Sequence, residues 1–598
     1  MRHDSNRLVL LLATAALALG VACERDRGKP VKKVDLGETD KTKKTTEDDK
    51  PTVSKAGCAE RAAMLKAPSI EYGKGKKPKD GEFVAGSKAA AFTYALAADP
   101  ETLDPSKMSG APEGRVAFNI FEGLLMPGPT TAGLDDLANV VVPGVAESYT
   151  VSDDCKTYTF KLRADAKWSD GADVTADDFV YTYKRILTPG FGADYLSMLH
   201  IIEGAEAYSS AKEPGDFSTV GVKAVDPKTL TITLKQPVPY FPELLAFYTF
   251  FPVPKQAIEK HGDAWTRPEN IVSNGPYTLS EYKLQQRIVL KKNENYWGKD
   301  AVAIPEAHLR IITDTNAVVN AYKAGELHWT GTGLPVAQLT SLITNPDYVK
   351  EPLIGTYYYR FNVKNDSPVK DLKVRQALSL AVDRDSLVNT TLNGLHTVAN
   401  GYTSSAIAGY EVPTELETNF AKAKKLLAEA GYPDGKGLEL TLLYNTDENH
   451  KLVAEAIQAM WKNNLGVTVT LVNKEWATYQ QDIDTLSYQI ARAGWIGDYN
   501  DPMTFLDMFV TTNGNNDTGW SNADYDKLIE QAATETDRVK RTRLLQDAET
   551  ILIEKGPIMP IYFYSTSYLA SRFLEGFLPH NRDIHLIKYI RLPGTDAK

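Results

Sequence analysis

Residues able to do covalent chemistry are present, but not at the spacings that catalysis needs. There is no Gly-x-Ser-x-Gly elbow, no phosphate-binding Walker loop, no His-Glu-x-x-His and no Cys-x-x-Cys. Nine His are scattered, and the nearest to a pair, His580 and His585, stand five apart and do not share a helix face. The 77 Asp and Glu are plentiful, yet nothing selects a catalytic pair among them. No enzyme activity, cofactor or metal is expected. The chain has three Cys, and in an oxidising compartment Cys58 and Cys155 invite a disulfide once Cys23 is otherwise engaged.

What remains is binding, and composition narrows the partner. The 598 residues are too many for one hydrophobic core, so two or more domains are expected. The 43% hydrophobic and 24% charged fractions are ordinary for a soluble globular protein. A net charge of −10 argues against nucleic acid, because phosphate binding needs a basic face. Tyr outnumbers Phe by 30 to 19. Tyr pairs a flat apolar ring with a hydroxyl, which suits a binding cleft; it equally suits strands.

The N-terminus reads as an export signal. Arg2, His3 and Arg7 precede a short apolar run, Leu8 to Leu19, and small residues lead to Cys23. Residues 1–22 are therefore expected to be a signal peptide. Cys23 is expected to be acylated as in a lipoprotein, although Gly20 stands where that pattern usually has Leu. Glu24 to about Lys55 is rich in Lys, Asp, Glu and Thr and poor in apolar residues. Such a segment cannot bury enough surface to fold alone, so residues 23–87 read as a tether.

The elements that must position a site are α/β in pattern. Thr157 to Arg163 alternates, with Tyr158, Phe160 and Leu162 on one face of a strand. Thr175-Ala-Asp-Asp178 reads as a capped helix start. A second strand is expected at Thr229–Lys235. Helices are expected at Asp371–Val388, Asn419–Ala430, His450–Asn464 and Asp524–Glu554, the last in two pieces. Strands at Leu438–Leu443 and Val467–Val472 flank the third helix, and that β-α-β order predicts a mixed sheet with helices on its faces. Pro557 to Tyr564 reads as a late strand, of a kind that often returns to the first domain and makes the domains discontinuous.

Several segments together resemble the oligopeptide-binding proteins of ABC importers, the large extracytoplasmic solute-binding proteins. The clearest is Ala491-Arg-Ala-Gly-Trp-Ile-Gly-Asp-Tyr-Asn-Asp-Pro502. Asp99-Pro-Glu-Thr-Leu-Asp-Pro105, Pro112 to Leu125, Lys167-Trp-Ser-Asp-Gly171 and Asp178-Phe-Val-Tyr181 come earlier. Ser273-Asn-Gly-Pro-Tyr277, Asn293-Glu-Asn-Tyr-Trp297 and Val374-Arg-Gln-Ala-Leu378 follow in the expected order. The resemblance runs from about Phe92 to Leu592. It implies a two-lobed, three-domain periplasmic-binding-protein fold with mixed sheets and a discontinuous first domain. The implied division is 88–121 with 247–354 and 566–598, then 122–246, then 355–565. It further implies a monomer that closes over an oligopeptide and presents it to a permease whose ATPases are separate chains.

A free peptide has an ammonium, a carboxylate and an amide ladder between them. The resemblance places Asp498 at the ammonium; read alone, Asp498 is a loop acid capping a turn. It places Arg492 and His450 at the carboxylate, and the backbones of Ser109-Gly110-Ala111 and of Gly494, Trp495 and Ile496 along the amide ladder. Trp476 and Trp495 match pocket-lining positions, and Tyr444, Asn445, Asn274 and Tyr277 are further candidates. Two departures from the enteric members stand out. A basic position of theirs falls at Ile483, and both halves of a disulfide fall at Gly355 and Ile496. Two other readings stay open: a receptor of the same fold for a nickel chelate, haem or sugar, and a peptide-sensing signalling protein.

Overall fold

The computed structural model describes residues 77–79, 81–128, 141–407, 409–578 and 580–592, excepting the side chains of Glu448, Trp476 and Ala477. All belong to one unit, Val53–Lys598. Cys23 and Cys58 lie outside the described residues, as does the side chain of Trp476.

Strand β1 (Phe92–Leu96) leads through an extended segment to helix α1 (Ala111–Ile120). The chain then builds an antiparallel sheet from β2 (Ala146–Val151), β3 (Thr157–Leu162), β4 (Val222–Asp226) and β5 (Thr229–Thr233), in the order β2-β3-β5-β4. Tyr158, Phe160 and Leu162 are buried on one face of β3 as their alternation predicts. Helix α2 (Ala176–Leu187) starts where Thr175 and Asp178 form a capping box.

Strands β6 (Tyr277–Lys283), β7 (Arg287–Lys292) and β8 (Glu306–Ile311) then join β1, with β8 parallel to it. The segments Pro112–Leu125, Ser273–Tyr277 and Asn293–Trp297 meet here around one buried carboxylate. Glu122 accepts hydrogen bonds from Tyr296 Oη at 2.7 Å and Trp297 Nε1 at 2.6 Å, and Lys588 Nζ lies 3.3 Å away. A buried charge needs that many partners. Asn274 clamps the same residue, accepting from Glu122 N at 3.0 Å and donating to Glu122 O at 2.7 Å. Tyr277 is fully buried and donates to the Ile304 carbonyl at 3.0 Å. Asn274 and Tyr277, taken from sequence as cleft residues, are thus core residues whose polar groups already have protein partners.

The largest sheet follows. Its strands are β9 (Tyr348–Phe361), β10 (Thr397–Val398), β11 (Glu439–Asn445), β12 (Thr468–Lys474), β13 (Ile490–Ile496) and β14 (Ile558–Leu569), in the order β10-β14-β9-β13-β11-β12. The pairings β11/β12 and β11/β13 are parallel and the rest antiparallel, so the sheet is mixed. Its covering helices are α3 (Leu372–Leu380), α4 (Phe420–Glu429) and α5 (Glu448–Leu465). The core they share includes Tyr357, Leu442, Val453, Trp461 and Ile561. Helix α6 (Trp476–Asp484) follows β12, and α7 (Ala523–Thr534) and α8 (Arg538–Lys555) precede β14. Asn522 and Asp537 cap the last two.

Two expectations are corrected. The helix read over Asp371–Val388 breaks after Leu380, because the Asp383 carboxylate accepts from Ser386 N at 3.0 Å and starts a new turn. The break swings Arg384 inward to donate to the Pro560 carbonyl at 2.8 Å. The late strand does not join the first sheet. β14 pairs with β9, and its end meets β1 through the segment His328–Thr330, where Trp329 bridges both Ala570 and Tyr94 and Thr330 N donates to Leu569 O at 2.8 Å.

Candidate ligand-binding site

Strand β13 sits between β9 and β11, but β11 accompanies it only at Ile490 and Ala491. Beyond that point one edge of β13 is unaccompanied by any described strand. Backbone alternation decides which groups face that edge. Asn362 N donates to Gln489 O at 2.9 Å and Gly497 N to Ile354 O at 2.7 Å, so both ends of the β9/β13 ladder are hydrogen-bonded pairs. Every second pair between them is likewise bonded. The amides of Arg492, Gly494 and Ile496 therefore point away from β9. Tyr479 Oη takes the Arg492 carbonyl. Gly494 and Ile496 are left to offer a short open ladder.

Side chains fit this edge closely. A Cβ at Gly494 would lie 2.6 Å from Tyr564 Oη and 3.2 Å from Arg492 Nη2, so only glycine leaves room. The indole N–H of Trp495 is buried without a hydrogen-bond partner among the described residues. Ile496, an apolar residue, is 45% exposed. It stands directly across from Gly355 in register, and a Cβ there would lie 2.4 Å from Ile496 Cδ1. The two positions where the enteric disulfide falls are thus a cross-strand pair, filled here by Ile against Gly.

After β13 the chain turns through Gly497–Pro502, where most polar side chains have protein partners. Asp501 accepts two 2.7 Å bonds from Arg541. Asn500 Oδ1 accepts from Asn581 at 3.0 Å. Tyr499 stacks on Tyr240 at 4.6 Å and 9°. Asp498 differs. Its carboxylate faces the Tyr195 hydroxyl and the Arg582 guanidinium, but it forms no ion pair with a described residue. Burial pushes it up to about 6, against the opposing effects of Arg582 and Tyr195. Burial, aided by the charges of Asp498 and Asp501, pushes Asp507 up to about 7.

At the opposite end Arg492 lies among rings. Its Nη1 donates to Asn445 Oδ1 at 3.3 Å and its Nη2 to Tyr564 Oη at 3.1 Å, and it lies 5.2 Å from the centre of the Tyr357 ring. Its Nε is buried without a hydrogen-bond partner among the described residues, and no described carboxylate pairs with it. His450, in the first turn of α5, has its ring 5.6 Å from that of Tyr357; its Nδ1 lies 3.6 Å from the Asp447 carboxylate and makes no hydrogen bond with a described residue. Burial first, and the Arg492 charge second, push His450 down to about 4, so it is neutral near pH 7. Tyr562 stacks on Tyr357 at 4.5 Å, with His396 stacked at 4.3 Å on Tyr562.

The other candidates are placed less centrally. Gly110 caps α1 in extended conformation, and a Cβ there would lie 2.1 Å from Glu113 Oε2. Ser109 and Ala111 beside it are exposed, and no hydrogen bond joins them to β13. Tyr444 is buried in the core beneath the large sheet, and Ile483 is buried with Leu443 and Tyr479. Four contributors escaped sequence reasoning: Tyr195 and Arg582 at Asp498, and Tyr357 and Tyr564 at Arg492. Each lies more than 70 residues from the charge it meets. The abundance of Tyr was the only signal for the three tyrosines, and Arg582 had none.

A mixed-sheet α/β fold with one open strand edge is the architecture expected of a solute-binding protein. The family model "Bacterial extracellular solute-binding proteins, family 5 Middle" matches residues 140–517, and the chain belongs to this family of binding proteins that serve ABC importers. It is 38% identical over 506 residues to the periplasmic oligopeptide-binding protein OppA of Escherichia coli strain K12, covering 82% of this chain and 91% of that protein. Among solved structures it matches the unliganded open form of the periplasmic murein tripeptide-binding protein MppA, with TM-score 0.72, 35% identity, and coverage of 85% of this chain and 98% of that one. Haemophilus influenzae OppA in complex with RPPGFSPFR matches with TM-score 0.69, 32% identity, and coverage of 85% and 99%. The fold is the two-lobed periplasmic-binding-protein fold. No described helix is long and apolar enough to cross a membrane.

Proposed function

We propose that this protein captures oligopeptides outside the cytoplasm and delivers them to the permease of an ABC importer. One observation carries the reading. The open amide edge of Gly494 and Ile496 lies between a carboxylate without an ion pair, Asp498, and a guanidinium without a carboxylate, Arg492. A peptide zwitterion supplies the three missing partners: an ammonium, a backbone ladder and a carboxylate. His450, being neutral, hydrogen-bonds the carboxylate rather than pairing with it. Ser109–Ala111 meets the ligand from the other lobe, and Trp495 and Trp476 line the pocket.

The proposal extends to the envelope context. Residues 1–22 are removed, Cys23 carries the lipid, and residues 23–87 tether the body to the membrane. Cys155 is disulfide-bonded, its partner lying outside the described residues; we propose Cys58 as that partner. The protein acts as a monomer, with lobes divided as 88–121, 247–354 and 566–598, then 122–246, then 355–565. Mass spectrometry of the ligand released from natively purified protein tests the function. A mixture of short peptides is expected. A single non-peptide solute, such as a chelate or a sugar, would replace the reading with the same-fold alternative.

A further inference from the structure

Arg582 occupies a turn in which every neighbour is tied down. His580 N donates to Glu351 at 3.2 Å, and Asn581 Nδ2 donates to Ala406 O at 3.1 Å and Asn500 Oδ1 at 3.0 Å. Asp583 N closes the turn on His580 O at 2.8 Å, with Asp583 in the left-handed region at φ 55°. Arg115 holds that residue by carbonyl and carboxylate, and His585 Nε2 stands 3.2 Å from the carboxylate. Even the Arg582 amide is taken, by His580 Nδ1 at 3.1 Å. Only its guanidinium has no hydrogen bond or ion pair with a described residue. It lies 5.4 Å from the centre of the Phe247 ring and faces Asp498, Tyr195 and Tyr248.

Screening of Asp498 does not account for this arrangement. A guanidinium placed for that purpose would close to ion-pair distance and bond in parallel, as Arg541 does with Asp501. Arg582 stops short of Asp498, leaving a partly buried guanidinium without a bonded partner, which is costly. Arrival of a ligand ammonium at Asp498 adds a second positive charge beside it. A carboxylate on the same ligand would satisfy both the planar donor fork and the local charge. Residues of an extended ligand are about 3.3 Å apart, so only its first two side chains stay near Asp498.

We propose that Arg582 is a specificity-determining residue that takes a side-chain carboxylate from one of the first two residues of the bound peptide. This rests on the reading of the site as a peptide receptor. The ligand class it names is peptides with Asp or Glu near the N-terminus.

Calorimetry near neutral pH tests it, comparing Glu-Ala-Ala with Gln-Ala-Ala and Ala-Glu-Ala with Ala-Gln-Ala, and using Ala-Ala-Ala as reference. In one of the two pairs the Glu peptide is expected to bind about tenfold tighter or better. That ratio should fall to about twofold or less in Arg582→Gln and return in part in Arg582→Lys. Circular dichroism verifies that both variants are folded. Equal binding of Glu and Gln peptides by the native protein overturns the inference, as does an undiminished preference in Arg582→Gln. If Ala-Ala-Ala binds and no acidic preference exists, only this inference fails. If none of the five binds, peptide capture fails with it.

Discussion

Asp498→Asn should make the empty protein more stable and the receptor worse. Burial lifts the Asp498 carboxyl from 3.8 to about 6. At about 1.4 kcal/mol per pH unit, keeping it ionised in the folded state costs about 2–3 kcal/mol. The sign follows from the raised value. The group's contribution to stability is fully present below about pH 4 and is lost as pH rises through about 6. Asn has nearly the same shape and carries no charge. The variant should therefore match the parent near pH 4 and exceed it by about 2–3 kcal/mol near pH 8 in denaturant unfolding without ligand. Binding should move the other way. Removing one partner of a desolvated charge pair costs about 2–5 kcal/mol, or about thirtyfold or more in Kd. Native affinity for a free peptide should itself decline as pH falls below about 6, where Asp498 takes a proton. A variant that is less stable near pH 8, or that binds a free peptide as tightly as the parent, refutes the reasoning.

Three further outcomes follow from the same geometry. Gly494→Ala puts a methyl 2.6 Å from Tyr564 Oη, so it should lose about 1–3 kcal/mol of stability and weaken peptide binding, both read by calorimetry. Arg492→Met should reduce affinity for a free-acid peptide by about 2–5 kcal/mol and leave its C-terminal amide nearly unaffected. Arg541→Ala leaves Asp501 buried without its cation and should cost about 3–5 kcal/mol in denaturant unfolding.

Local structure was legible wherever local patterns decide it. The alternation of Thr157–Leu162, the capping box at Thr175 and the β-α-β run from β11 to β12 all act within a few residues. The continuous helix expected at Asp371–Val388 failed because Asp383 competes for backbone donors, which apolar periodicity does not register. The charges of the site were legible only through resemblance, since a loop acid such as Asp498 has no local signature. Asn274 and Tyr277 were misread for a related reason. Their motif helps enclose Glu122, and resemblance alone does not separate a core lock from a ligand contact. Tyr195, Tyr564 and Arg582 meet their partners across long stretches of chain, so only the fold brings them in.

In the proposed function Asp498 receives the ammonium of a free peptide lying along β13. Calorimetry with one peptide and its N-acetylated form tests it most directly. Acetylation removes the charge and leaves the amide ladder and the carboxylate intact. The free peptide is expected to bind, and acetylation to weaken it about thirtyfold or more. Equal affinity for the two forms would contradict it.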